Sequence, residues 1–133
     1  MIFMEASFVF NQDYVKISDL VVDGETRNPY DTSFRIAVRS GDFAGVGNWE
    51  CGIENLRDFV NNLEEMCQLH ITQTELLDNA YGSYISFVMD RLGHLCVRGT
   101  LFGEHKAQHI EFEFTADQTV LRTFLKELRQ LMP

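Results

Sequence analysis

The apolar period of this chain lengthens twice, from two residues to between three and four, and each change follows a run of strand-like alternation. A period of two lines one face of a strand, and the longer period lines one stripe of a helix, so sheet and helix must share a core. Ile53, Leu56, Phe59, Val60, Leu63, Met66 and Cys67 form the first helical stripe, with Asp58, Asn61, Asn62, Glu64 and Glu65 on the remaining face. Val120, Leu121, Phe124, Leu125, Leu128 and Leu131 form the second, with Asp117 as its expected N-cap.

Alternation and turn signals predict the strands. Ser7 to Phe10 and Tyr14 to Val22 flank the turn Asn11-Gln12-Asp13, and Ser33 to Arg39 carries Phe34, Ile36 and Val38 on one face. Phe43 to Cys51 returns antiparallel, with Gly45 and Gly47 marking a bulge or a close backbone approach. Ile71 to Leu77 alternates imperfectly and reads as an edge strand or a turn. Tyr84 to Asp90 and His94 to Phe102 flank Arg91-Leu92-Gly93, where Gly93 can supply a positive φ. His109 to Phe114 then alternates strictly.

The fold expected is α+β, an antiparallel sheet of about six strands with two amphipathic helices packed on it. At 133 residues, 45% of them hydrophobic, the chain is sized for a single domain over 1–133. The helices share the pattern L-R-x-F-V/L-x-x-L at Leu56 to Leu63 and Leu121 to Leu128, which suggests equivalent packing on one sheet. Any amphipathic helix with this core needs Leu and Phe so spaced, and that plainer account is preferred.

Charge limits the partners. The net charge is −9, and because residues 118–133 carry +2 the remainder carries −11. Such a surface repels phosphate backbones and anionic lipid, so neither nucleic acid nor membrane is the expected partner. Asp58, Asn62 and Glu65 lie at i, i+4 and i+7 on the first helix and Arg122, Lys126 and Arg129 repeat that spacing on the second, which reads as solvated faces. No apolar run approaches the ~20 residues of a membrane span. Met1-Ile2-Phe3-Met4-Glu5 has no basic leader region, and the expected location is the cytoplasm.

Chemistry is sparse. Cys51, Cys67 and Cys96 are too few and too scattered for a disulfide framework or a zinc knuckle, and read as buried thiols. His105 and His109 have a metal-like spacing only if helical, yet they straddle a loop and a strand, so no metal and no cofactor is expected. The glycines from Gly41 to Gly47 lack the Lys-Ser/Thr of a phosphate loop. No nucleophile motif is present, and the chain is not expected to be an enzyme. Trp49 has two accounts, a partner-facing anchor or a core residue closing the sheet, and the core account is preferred.

Several segments together resemble the WapI-type immunity proteins of bacteria. They are Phe43-Ala44-Gly45 to Trp49 with the Leu56/Phe59/Leu63 helix, Asp90-x2-Gly93-His94 between two strands, and Phe112-Glu113-Phe114 before Asp117-Gln118-Thr119, Leu121 and Phe124. The match spans most of residues 34 to 131, and the chain also looks like uncharacterised bacterial proteins with the same strand–helix pattern. The resemblance implies a cytoplasmic protein that neutralises a toxin domain by surface complementarity, and it carries over no catalytic residue. The expected contact residues are Asp42, Trp49 and Glu50, and the expected partner is a basic toxin domain. Two alternatives stand beside this. One is a small-ligand binding protein or enzyme with a pocket near Trp49, His94 and His105; the other is a homodimer that buries a sheet face or edge strand.

Overall fold

The computed structural model describes residues 4–25 and 27–133. The reading of Met1 to Phe3 lies outside those residues. Strands β1 (Glu5–Phe10), β2 (Asp13–Val22), β3 (Thr32–Ser40) and β4 (Phe43–Cys51) lead into helix α1 (Ile53–Cys67). Strands β5 (Gln73–Leu77), β6 (Tyr84–Met89), β7 (His94–Phe102) and β8 (His109–Asp117) lead into helix α2 (Thr119–Leu131).

The α+β class holds, but the single sheet of about six strands does not. Among the described residues there are two antiparallel four-stranded sheets, ordered β1-β2-β3-β4 and β5-β6-β7-β8, with no ladder between them. The physical reason is the helix after β4. It ends the meander, so β5 cannot continue as a hairpin partner of β4 and starts a second sheet instead. The weak alternation before residue 77 resolves as β5, an edge strand with Thr74 and Leu76 buried.

The chain is therefore one strand–strand–strand–strand–helix unit followed by a second, and the shared helix pattern occupies the same position in each. Each unit buries one sheet face and one helix stripe in a common core. Phe8 of β1 meets Phe87 of β6 at 5.5 Å, Phe114 of β8 at 6.1 Å and Phe124 of α2 at 5.7 Å between ring centroids. Phe59 of α1 reaches the same Phe87 at 5.8 Å. Aromatic contacts of this kind add to the area they bury.

The helices also protect sheet edges. Helix α2 runs along β1, where Glu127 Oε1 accepts the Ser7 backbone N–H at 2.9 Å, and α1 packs beside β5. Arg129 of α2 approaches Glu64 of α1 at 3.9 Å. At the other side β3 and β4 cross β7 and β8. A Cβ on Gly45 would lie 3.0 Å from Ile110 Cγ2, so of the two expectations for this segment the close approach is correct. The β3–β4 register is continuous, and the irregularity falls instead in β2 between Ser18 and Val21, with Asp19 at φ +57°.

Asp117 acts one position from where the sequence placed it. Gln118 is the N-cap residue, and Asp117 Oδ1 accepts the Thr119 N–H at 3.1 Å from the end of β8. Among the described residues no helix is long and apolar enough to cross a membrane.

Candidate functional site

Two hairpin tips and one loop meet at one end of the first sheet. Asn11 at φ +56° turns β1 into β2, and Gly41 at φ +61° turns β3 into β4, each as the first residue of a two-residue connection. The Gly41 N–H donates to Asp13 Oδ1 at 2.8 Å, which ties the tips together. Ser40 Oγ donates to the Glu113 carbonyl at 2.7 Å and seats the second tip on β8.

The opposing wall is the β6–β7 loop. Asp90 Oδ1 accepts the N–H groups of Leu92 at 2.8 Å and His94 at 3.0 Å, and Oδ2 faces His94 Nδ1 at 3.2 Å. Gly93 supplies the positive φ, +82°, that its sequence position suggested, and its carbonyl accepts the Gln118 N–H at 3.2 Å. The loop is thus moored to the start of α2.

Between these walls lies a cleft of about 480 Å³ lined by Phe10, Asp90, His94, Thr115, Ala116 and Asp117. Its floor is apolar and its rim carries carboxylates. The His94 backbone N–H, helped by that of Leu92 and by the His94 ring, holds the Asp90 carboxyl below its ordinary value against the opposing pull of desolvation. Outside the cleft lining, Phe43 at the second hairpin tip is 74% exposed and Leu92 in the β6–β7 loop is 80% exposed. Arg91 lies in the β6–β7 loop, and at the second tip the Arg39 Nε–H donates to the Gly41 carbonyl at 3.2 Å.

The three expected contact residues do not form one exposed patch. Asp42 is exposed at the tip beside Phe43. Glu50 is exposed at the other end of β4, about 26 Å away at the ordinary rise of a strand. Trp49 is 1% exposed and packs on Phe34 at 5.9 Å, so it is a core residue and offers no anchor at the surface. Among the described residues its indole N–H is the one buried side-chain nitrogen or oxygen without a protein partner.

Trp49, His94 and His105 do not converge either. Trp49 and Glu50 border a groove of about 250 Å³ with Asp19, Arg35 and Tyr81, His94 borders the cleft, and His105 is exposed in the β7–β8 connection. Among the described residues no three His, Cys, Asp or Glu side chains group as a metal ion needs, and no hydroxyl or thiol is hydrogen-bonded to the His94 ring. All three cysteines are free. Cys51 is buried as expected, but Cys67 and Cys96 are only half-buried. Cys96 lies on the outer face of β7 and its Sγ donates to Glu113 Oε1 at 3.1 Å.

Sequence reasoning missed Phe10, Phe43 and Leu92. Each ends a strand or sits in a turn, and apolar residues at turns were the available signal. It also missed Asp78, 5% exposed, whose carboxylate accepts N–H groups of Glu50, Ala80 and Tyr81 at 2.9 Å each. That buried acid clamps the β5–β6 loop to the end of β4, and the loop's Asp-Asn-Ala-Tyr-Gly run was its signal.

No protein-family model matches the sequence, and no curated protein is significantly similar to it. Among solved structures it is similar to a chain of the Trypanosoma bruciei MRP1/MRP2 crystal structures, at 10% identity and a TM-score of 0.50, covering 90% of this chain and 73% of that one. At such identity the likeness concerns the fold alone.

Proposed function

We propose that this chain is a protein-binding module that uses the hairpin-end cleft to hold a basic partner. The observation that carries the proposal is an apolar-floored cleft with Asp90 and Asp117 on its rim, at the end of the fold where the hairpin tip and the β6–β7 loop also expose Phe43 and Leu92. Large apolar groups exposed to water are common anchors of a protein contact. The carboxylates, with Asp13 and Asp42 on the tips, favour Lys and Arg heads whose aliphatic stems lie on Phe10 and Ala116. The resemblance to WapI-type immunity proteins supports a more specific version, in which the partner is a toxin domain neutralised in the cytoplasm by occlusion.

The test is site-specific photo-crosslinking in the native cell, with the crosslinking side chain placed at Phe43, Leu92 or Glu50. The proposal expects positions 43 and 92 to capture the same basic protein while position 50 does not. Capture from position 50 alone would contradict it.

A further inference from the structure

The outer faces of the two sheets are uncovered, and they differ in charge. In the first sheet the outward rows are Ser7–Lys16–Ala37–Val46 and Val9–Tyr14–Arg39–Ala44, followed by Glu5–Ser18–Arg35–Asn48. Lys16, Arg35 and Arg39 thus form a basic stripe in a chain of net charge −9, and the Lys16 ammonium lies over the Tyr14 ring at 4.5 Å. Acids reach this face only at its margins, as Glu5 on the edge strand and Asp19 and Glu50 at the far end. Val9 and Val46 are 42% and 54% exposed beside the stripe.

In the second sheet the outward rows are Leu77–Tyr84–Thr100–Glu111 and Glu75–Ser86–Arg98–Glu113. Three acids face one base there. A groove of about 380 Å³ bordered by Tyr84, Arg98, Thr100, Glu111 and Glu113 makes the face concave, and Leu77 is 54% exposed at its edge.

We infer that copies of this chain associate head to tail, the basic outer face of the first sheet docking on the acidic outer face of the second sheet of the next copy. Both faces carry apolar side chains, so each has something to bury. A symmetric pairing of two first sheets would set cations against cations, and of two second sheets acids against acids. Only the unlike pairing matches charge. Each face has a plan area of only about 400 Å², from four strands spaced about 4.8 Å apart, so the contact is weak and concentration-dependent. Because the contact is heterologous, it continues into rings or filaments rather than stopping at a dimer.

Sedimentation velocity on the full chain tests this without any other protein, so its outcome is independent of the cleft. At low salt the mass should rise with concentration beyond twice 15.4 kDa, and about 0.5 M salt should reverse the rise by screening. The variants Lys16→Glu/Arg35→Glu and Glu111→Lys/Glu113→Lys should each stay monomeric. Their equimolar mixture should associate again, as should a chain carrying all four changes, because either restores opposite charges across the contact. Wild-type chain monomeric at every concentration, a dimer that grows no further, or a mixture that fails to associate would each overturn the inference.

Discussion

Asp31 caps a helix that begins twenty-two residues after it: its Oδ1 accepts the Ile53 N–H at 2.9 Å. The N-cap position of α1 is Gly52, which has no side chain to offer, so the loop before β3 supplies the missing carboxylate. The same oxygen accepts the Thr32 hydroxyl at 3.0 Å. Asp31→Ala should cost about 1–2 kcal/mol, as loss of a side-chain cap does, and Asp31→Asn should cost less. Urea unfolding followed by circular dichroism checks the ranking.

Phe124 is fully buried and packs on Phe8 and Phe87, at 5.7 and 6.0 Å, where both sheets meet α2. Phe124→Ala should cost about 3–5 kcal/mol through lost transfer energy and the cavity left behind. An unchanged denaturant midpoint would mean that α2 is not seated as described.

Much of this fold is legible because burial writes a period into each element. Phe34, Ile36 and Val38, or Phe112 and Phe114, show their buried face directly. The division into two sheets is not legible, since alternation reports which face is buried and says nothing about which strand lies alongside. The candidate site was half legible. Asp42 and His94 stood out as turn residues, but the arrangement of the hairpin tips beside β8 depends on the Asp13–Gly41 and Ser40–Glu113 contacts, which join residues 28 and 73 apart in sequence. Trp49 shows the converse, because a lone Trp before a helix reads alike whether it serves a surface or a core.

Alkaline pH should destabilise the fold through Cys51. Burial first, then Asp31 and Asp78, push its thiol from 9.0 up to about 12. Between those values the unfolded chain releases a proton that the folded chain keeps, so stability is complete below pH 9 and falls as pH rises toward 12. The slope is about 1.4 kcal/mol per pH unit for one proton. Cys51→Ala removes this component, so the difference in unfolding free energy between the two chains should shrink as pH is raised from 8 to 10.5. A constant difference would show that Cys51 ionises as readily in the fold as outside it.

The cleft account is tested most directly by association kinetics with the protein captured through Phe43. Opposite charges raise the on-rate, and screening over a Debye length of about 10 Å at 0.1 M salt lowers it. Asp42→Lys should slow association several-fold at low salt and far less at 0.5 M, and Phe43→Ser should speed dissociation. Glu50→Lys, at the far end of the same strand, should change neither rate. An on-rate indifferent to salt and to Asp42→Lys, or one governed by Glu50 instead, would contradict the account.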